Sequence, residues 1–421
     1  MATEPVKNGG PCRLCGSPLS TVVTDLGMSP PCQRFLTADQ LNVAEDFYPL
    51  VVWVCEQCWL VQLNDYLAPE DIFVEYGYFS SYSDAWLAHC RSDAEHQIER
   101  WGLGGDSLVV EVASNDGYFL RWFHEVGVPV LGIEPAKNVA LEAIAAGIPT
   151  MTEFFGAAVA HELVEAGRQA DFLAGKNVLA QVPDLNDFVE GLKILLAPNG
   201  VITIEFPHLV QLIENNQFDT IYHEHFSYFS LHTTERLFAA HGLRLFDVDE
   251  VPTHGGSLRV YGCHAEDETK PTTAAVVELR EREIAGGYAS MEAYQRFDEQ
   301  VKATKRALLS TLIELKSAGK SIAAYGAAGK GMTLLNYCGI RSDFVDFVAD
   351  RNPYKHGRFC PGVHVPVLDA DQIEHRRPDV VLILPWNLRE EISAQLNGIA
   401  EWGGQFLVPI PTAELFDAVP L

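Results

Sequence analysis

The sequence predicts an α/β protein: an N-terminal zinc-ribbon-like domain, a central doubly wound sheet and a second, Rossmann-like α/β domain at the C-terminus. Three observations predict it. Short apolar runs at 108–112, 130–133, just before Asn177 and at 200–205 alternate with helical patterns, as in a mostly parallel sheet with crossover helices. Ser321–Gly331 reads as strand, glycine turn and helix start, with further apolar runs at 345–350 and 379–384, which predicts a second such sheet. Two C-x-x-C pairs, Cys12/Cys15 and Cys55/Cys58, stand near the N-terminus.

With 421 residues the chain exceeds what one hydrophobic core supports. We expect a zinc-binding domain over 1–75, a nucleoside-binding domain over 76–265, bridging helices over 266–318 and the second α/β domain over 319–421. The net charge is −27, from 30 basic and 57 acidic residues, and no basic stripe interleaved with aromatics appears, so neither nucleic acid nor an anionic membrane surface is an expected partner. No apolar run approaches the ~20 residues of a membrane span, and the first ten residues lack the apolar core of a signal peptide. The expected compartment is the cytoplasm.

Nine cysteines in a reducing compartment do not form a disulfide framework. Each C-x-x-C knuckle places two thiolates on one side of a tight turn, and two knuckles complete a tetrahedral structural zinc site. The first ~70 residues hold too little core to fold on burial alone, so the metal would contribute directly to folding. Apolar Leu50–Cys55 and Trp59–Leu63 read as strands flanking the second knuckle.

The run from Tyr76 to Asp84 is rich in hydroxyls and aromatics. It reads as a polar loop, or as a lid over the ligand bound by the strand that follows its helix (about 84–100). That strand ends in Glu111-Val-Ala113-Ser114-Asn115-Asp116-Gly117, and the next one delivers Glu134 to a strand end. A carboxylate there can accept both hydroxyls of a ribose. A dinucleotide needs a glycine-rich turn for its pyrophosphate, and this turn has one glycine. Its acid, hydroxyl and amide instead suit the ammonium and carboxylate of S-adenosylmethionine. An apolar strand with a downstream acid is equally a common piece of α/β core.

Tyr222-His223-Glu224-His225 is the densest ionisable cluster and permits three readings. His223 and His225 could share a strand face as metal ligands, although H-E-x-x-H would need histidine where Ser227 stands. The side chains could be hydrogen-bonded structurally. A helical turn would instead bring Tyr222 and His225 together to act on one substrate carbon. Gly326–Gly331 is not a Walker A loop, because Lys330 is followed by glycine. With Gly329, Lys330 and Arg351 it could hold a diphosphate, or its glycines could serve close packing alone. From about Pro271 to Ala318 the chain is charged and helical, reading as a bridge.

Together the two C-x-x-C pairs, Glu111–Gly117, Gly132-Ile-Glu-Pro135, Asp219–Phe229, His254-Gly-Gly-Ser-Leu-Arg259 and Tyr325–Gly331 resemble the S-adenosylmethionine-dependent sugar C-methyltransferases of deoxysugar biosynthesis in antibiotic-producing bacteria, most of all their tetronitrose C-3′ branch. The resemblance covers nearly the whole chain. It implies a dTDP-linked 4-keto-deoxysugar substrate, methylated beside the ketone, with zinc structural. It places the methyl donor at Glu111, Ala113–Gly117, Glu134, Asn177 and Gln181, and substrate contacts at His254, Gly329, Lys330 and Arg351. A carbon alpha to a ketone becomes nucleophilic only by losing a proton, so a base and an oxyanion partner are required. His225 is the expected base, with Tyr222, Glu224 and Tyr76 positioning it or stabilising charge. A monomer is expected.

Two departures stand out. Family members commonly have glycine at Ala113 and histidine at Gln181. Glutamine can hydrogen-bond but cannot exchange a proton near neutrality, so either that position is not the essential base or this chain is impaired. Two competing readings are a nucleotide-sugar binding protein of the same fold without turnover, which Gln181 alone supports, and an NAD-dependent oxidoreductase, which the poor glycine fingerprints disfavour.

Overall fold

The computed structural model describes residues 9–69, 72 and 79–418. The chain divides into two compact units, the first of Met1–Thr21, Val54–Leu209 and Phe226–Met291, the second of Val22–Trp53, Val210–His225 and Glu292–Leu421.

The first unit is built on a seven-stranded sheet. Its strands in chain order are Val109–Val112, Val130–Ile133, Thr150–Met151, Ala170–Lys176, Leu196–Pro207, Leu243–Val251 and Ser257–His264. Numbered that way, their spatial order is 3-2-1-4-5-7-6. The first five run parallel, and Ser257–His264 lies antiparallel to both of its neighbours. The order reverses between Val109–Val112 and Ala170–Lys176, and ligands bind at the carboxyl ends of strands beside such a switch point. The four residues Val109–Val112 are all buried, as expected of a strand covered on both faces. Phe119, Phe123, Val109, Phe172, Ala174 and Tyr261 belong to one core cluster of this unit.

The second unit repeats the plan with six strands: Ile322–Tyr325, Val348–Asp350, Val367–Asp369, Val380–Ile383, Gln405–Val408 and Glu414–Asp417. In chain order they stand 3-2-1-4-5-6, parallel except for the last. This is the Rossmann-like order expected of the C-terminal α/β domain.

The helix Leu185–Leu195 begins where Asp184 caps it, the Asp184 side chain accepting from the Asp187 N–H. The stretch read as bridging helices holds two, Ala274–Ala285 and Phe297–Ser317, separated by the turn-rich 286–296 with its glycine pair Gly286-Gly287. Strand Thr21–Ser29 shows no regular apolar alternation, and in Leu243–Val251 the alternation slips by one residue between Leu245 and Asp247, where the pairing with Ser257–His264 is bulged. Among the described residues no helix is long and apolar enough to cross a membrane.

Candidate active site

The knuckles come first. Cys12, Cys15, Cys55 and Cys58 bring their sulfurs within 4.8 Å of one another. Each knuckle closes the same way: the residue after its second cysteine, Gly16 or Trp59, takes positive φ (73° and 65°) and donates its N–H to the carbonyl of the first, at 2.8 Å in both. Gln62 Nε2 donates to Cys12 Sγ at 3.2 Å, as suits a thiolate. Four sulfurs about 2.3 Å from a central ion would stand about 3.8 Å apart, so the set fits a tetrahedral zinc and offers no open position for catalysis.

At the switch point of the first unit, the turn after Val109–Val112 is left-handed three times, at Ala113 (φ 55°), Asn115 (φ 49°) and Gly117 (φ 76°). Asn177, one strand over, is also left-handed (φ 56°). Glu134 directly follows the second strand and ties the turn down: Oε2 accepts from the Asn115 N–H at 2.9 Å, Oε1 from the Ala136 N–H at 2.8 Å. Burial raises its carboxyl above the usual range. Gly132, two residues earlier, must lack a side chain because a Cβ there would collide with Ser114 Oγ. Ser114 Oγ, Asp116 Oδ1 and Asn177 Oδ1 are buried with no hydrogen-bond partner among the described residues. Buried polar atoms without partners at a switch point mark a place built for a polar ligand, and their chemistry fits the amino-acid end of S-adenosylmethionine. Glu111 lies beneath the turn, fully buried, its carboxyl pushed well up by desolvation. Gln181 ends a 3-10 turn, Leu179–Gln181, half-buried in the same unit.

Tyr76 lies outside the described residues. The part of its run that is described reaches the turn: Ser80 N–H donates to Asn115 Oδ1 at 2.9 Å and Ser81 N–H to Asp116 Oδ2 at 3.1 Å.

Sequence reasoning missed a buried charge ladder in this unit. Strand register sets Lys176 beside Glu205, and Glu205 beside Arg259. Lys176 Nζ stands 2.8 Å from Glu205 Oε2 and 2.6 Å from Asp93 Oδ2, and Arg259 bonds the same two carboxylates at 3.0 Å each. His89, Asp93 and Gln97 share one face of the helix Asp84–Trp101 by their spacing of four. The available signal was a charge inside each otherwise apolar strand, as in Val201-Ile-Thr-Ile-Glu205. His254 sits in a 3-10 turn at φ 56°, its ring edge-on to Trp86 at 5.2 Å.

The second unit holds the Tyr222–His225 cluster. A turn, not a full helix, joins the two: His225 N–H donates to Tyr222 O at 2.9 Å, and the rings lie 4.0 Å apart between centroids. His225 Nδ1 is 2.9 Å from Thr220 O. A carbonyl only accepts, so Nδ1 carries the hydrogen and the neutral ring keeps its lone pair on Nε2. His223 turns elsewhere, buried edge-on to Tyr48, with Nε2 3.3 Å from Pro49 O. Burial pushes the Glu224 carboxyl up to about 7, and the Cys32 thiol lies 3.4 Å from it.

The glycine turn of this unit follows its first strand. Gly329 packs directly on the cluster, for a Cβ there would be 3.5 Å from Tyr222 Cζ and 3.1 Å from Cys32 Sγ. Lys330 Nζ bonds Asn387 Oδ1 at 2.8 Å and lies over the Trp386 ring. Trp386 Nε1 donates in turn to buried Asp219 at 2.8 Å. Burial raises Asp219 to about 7 and lowers Lys330. Asp350 ends the second strand and, like Glu134 in the first unit, accepts from backbone N–H groups, those of Ala327 and Asn352, at 2.7 Å each. Arg351, beside it, is exposed.

Three family models match along the chain: "Putative zinc binding domain" over residues 12–73, "Methyltransferase domain" over 86–248 and "C-methyltransferase C-terminal domain" over 252–411. C-methyltransferase NovU of Streptomyces niveus is 36% identical over 412 residues, covering 97% of each chain. The chain belongs to the C-methyltransferase family. It is an S-adenosylmethionine-dependent enzyme with a zinc-binding N-terminal domain. Solved structures resemble part of the methyltransferase. Magnesium protoporphyrin IX methyltransferase of Synechocystis PCC 6803 with bound SAM is 13% identical with a TM-score of 0.32, over 43% of this chain and 82% of that one. An S-adenosylmethionine-dependent methyltransferase from Mesorhizobium loti is 17% identical with a TM-score of 0.32, over 40% and 97%.

Proposed function

We propose that this methyltransferase acts on a dTDP-linked 4-keto-deoxysugar, adding the methyl group to the carbon beside the ketone, C-3′, with His225 as the base that removes the alpha proton. The observation that carries the reading is the Tyr222–His225 pair, whose rings lie 4.0 Å apart and whose backbone anchor at Thr220 O sets the basic nitrogen of the neutral imidazole at Nε2. S-adenosylmethionine would supply an electrophilic methyl group, which a carbon beside a ketone can take up only once it is nucleophilic. His225 Nε2 accepts the proton, and the electron pair of the broken C–H bond moves into the enolate. Tyr222 O–H is suited to hold the developing oxyanion. Glu224, its carboxyl pushed up to about 7 by burial, acts with Tyr76 to position this pair.

Gly329, Lys330 and Arg351 would take the diphosphate, and the contact of Gly329 with Tyr222 supports keeping the diphosphate and the ketosugar at neighbouring groups. Glu134 would hold the ribose of the methyl donor, with Glu111, Ala113–Gly117, Asn177 and Gln181 around its remainder. The partition into 1–75, 76–265, 266–318 and 319–421, the cytoplasmic location, the place in deoxysugar and antibiotic biosynthesis and the monomeric state complete the proposal.

The test is His225→Asn, which keeps a polar side chain and removes the basic nitrogen. Its turnover should fall by about 10²–10⁴-fold with substrate affinity little changed. Exchange of the substrate's alpha proton with deuterated water isolates the abstraction step. Exchange at the parent rate in the variant would remove His225 as the base.

A further inference from the structure

His89 has no part in the function proposed above, yet its surroundings are those of an oriented base. Its side chain is 19% exposed and stacks on Trp86, with ring centroids 5.2 Å apart and planes at 25°. Nε2 lies 2.9 and 3.0 Å from the two oxygens of Glu205. That carboxylate is 1% exposed and is held by Lys176 Nζ at 2.8 Å, Arg259 Nη2 at 3.0 Å and Thr253 Oγ1 at 3.0 Å. Two cations and a hydroxyl keep it ionised, so it can only accept, and Nε2 must donate. Arg259 Nη2 is also 3.3 Å from Nε2, but an accepting Nε2 would set its lone pair against two carboxylate oxygens at 2.9 and 3.0 Å, so the nitrogen donates. The neutral ring therefore keeps its lone pair on Nδ1, and no hydrogen bond among the described residues reaches that atom. A carboxylate behind the ring makes Nδ1 a better acceptor, the device by which histidines are fixed in one tautomer.

The placement in this unit gives the acceptor a use. Glu205 O accepts the Asn177 N–H at 2.7 Å, so the dyad adjoins the strand end where Asn177 Oδ1 stands unpaired. The helix carrying His89 begins just after the Ser80–Tyr82 turn, which bonds Asn115 and Asp116. A lone pair backed by an anion recognises a cationic donor and disfavours a carboxylate.

We propose that His89 Nδ1 accepts a hydrogen bond from the ammonium group of the methyl donor's amino-acid end, with Glu205 as the positioning residue. The proposal rests on the reading that this end lies at Ala113–Gly117 and Asn177. It adds to that shell, beside Asp116, a neutral acceptor that selects for the ammonium over the carboxylate.

Calorimetry on the intact protein tests it with three ligands. S-adenosylhomocysteine carries both groups, decarboxylated S-adenosylmethionine keeps only the ammonium, and 5′-methylthioadenosine has neither. His89→Ala and His89→Phe, the second keeping a ring on Trp86, should each bind the first two about tenfold or more weakly while 5′-methylthioadenosine stays within about twofold. Unchanged affinity for S-adenosylhomocysteine in both variants would overturn the proposal. So would an equal loss for all three ligands, which would make His89 a support of the fold. If the variants bound all as the parent did, His89 alone would be excluded. If the parent bound none, the placement of the methyl donor would fall and this proposal with it.

Discussion

Removing the Lys176 ammonium should destabilise the first unit by about 3–5 kcal/mol at neutral pH, the cost of breaking a buried ion pair from one side. Lys176 is 3% exposed, with carboxylate oxygens of Asp93 and Glu205 at 2.6 and 2.8 Å. Lys176→Met keeps most of the stem and its packing on Phe119 but leaves Arg259, among the described residues, as the one strong cation for two buried carboxylates. Burial alone would raise both acids. In the parent the charges of Lys176 and Arg259 more than offset that, holding Asp93 and Glu205 below the usual range. A depressed folded-state pKa contributes stability that is full above the unfolded pKa, about 4, and is lost as pH falls through the folded value. In the variant, burial gains the upper hand and one acid takes up a proton more readily than in the unfolded chain. The deficit should therefore be largest from neutral pH upward and should shrink as pH falls below about 5. Urea unfolding followed by hydrogen exchange of peptides from 170–176 and 196–207 reports this unit alone. A loss under about 1 kcal/mol at neutral pH, or one of equal size at about pH 4.5, would show that the ladder is not an interdependent ion cluster.

The knuckles predict one zinc per chain by elemental analysis, and chelation should raise hydrogen exchange around Cys12–Cys15 and Cys55–Cys58 before it lowers affinity for S-adenosylmethionine. Glu134→Ala should weaken S-adenosylmethionine binding by roughly 1.5–3 kcal/mol in calorimetry, the value of a lost charged hydrogen bond, with no binding of NAD by either protein. Ala113→Gly should stabilise the first unit by about 1 kcal/mol in thermal unfolding, because Ala113 holds φ 55°; a destabilised variant would mean the methyl group's packing outweighs the backbone strain.

What the sequence displayed best was whatever repeats with a period or a fixed spacing. The parallel strands were legible because burial on both faces demands unbroken apolar runs, and the knuckles because ligand spacing is set by the metal. Tyr222 and His225 were legible as a pair, since any tight turn brings residues three apart together. Their ring contact at 4.0 Å was not, because it depends on Gly329 packing behind Tyr222 from more than a hundred positions away. Likewise Lys176, Glu205 and Arg259 each looked like an isolated charge in an apolar run. Only strand register aligns them, and register between distant strands has no local sign.

The turn at 113–117 shows how far composition can stand from backbone geometry. Counting glycines gives one, and on that count the turn reads as unlike a glycine-rich loop. The backbone is nonetheless left-handed at 113, 115 and 117, the alternation that three glycines would supply. Asparagine tolerates that conformation because its short polar side chain can bond locally, and Ser80 does donate to the Asn115 amide oxygen. Alanine has no such compensation, so its strain must be met by the fixed surroundings: the Asn115 N–H on Glu134, and Gly132 making room for Ser114. The ligand-facing geometry is thus specified by the second strand as much as by the turn, which is why Gly132-Ile-Glu134 belongs to the same site as Glu111–Gly117. It follows that substituting Gly132 should disturb the turn more than substituting Ala113, although Gly132 itself is an ordinary strand residue in its backbone.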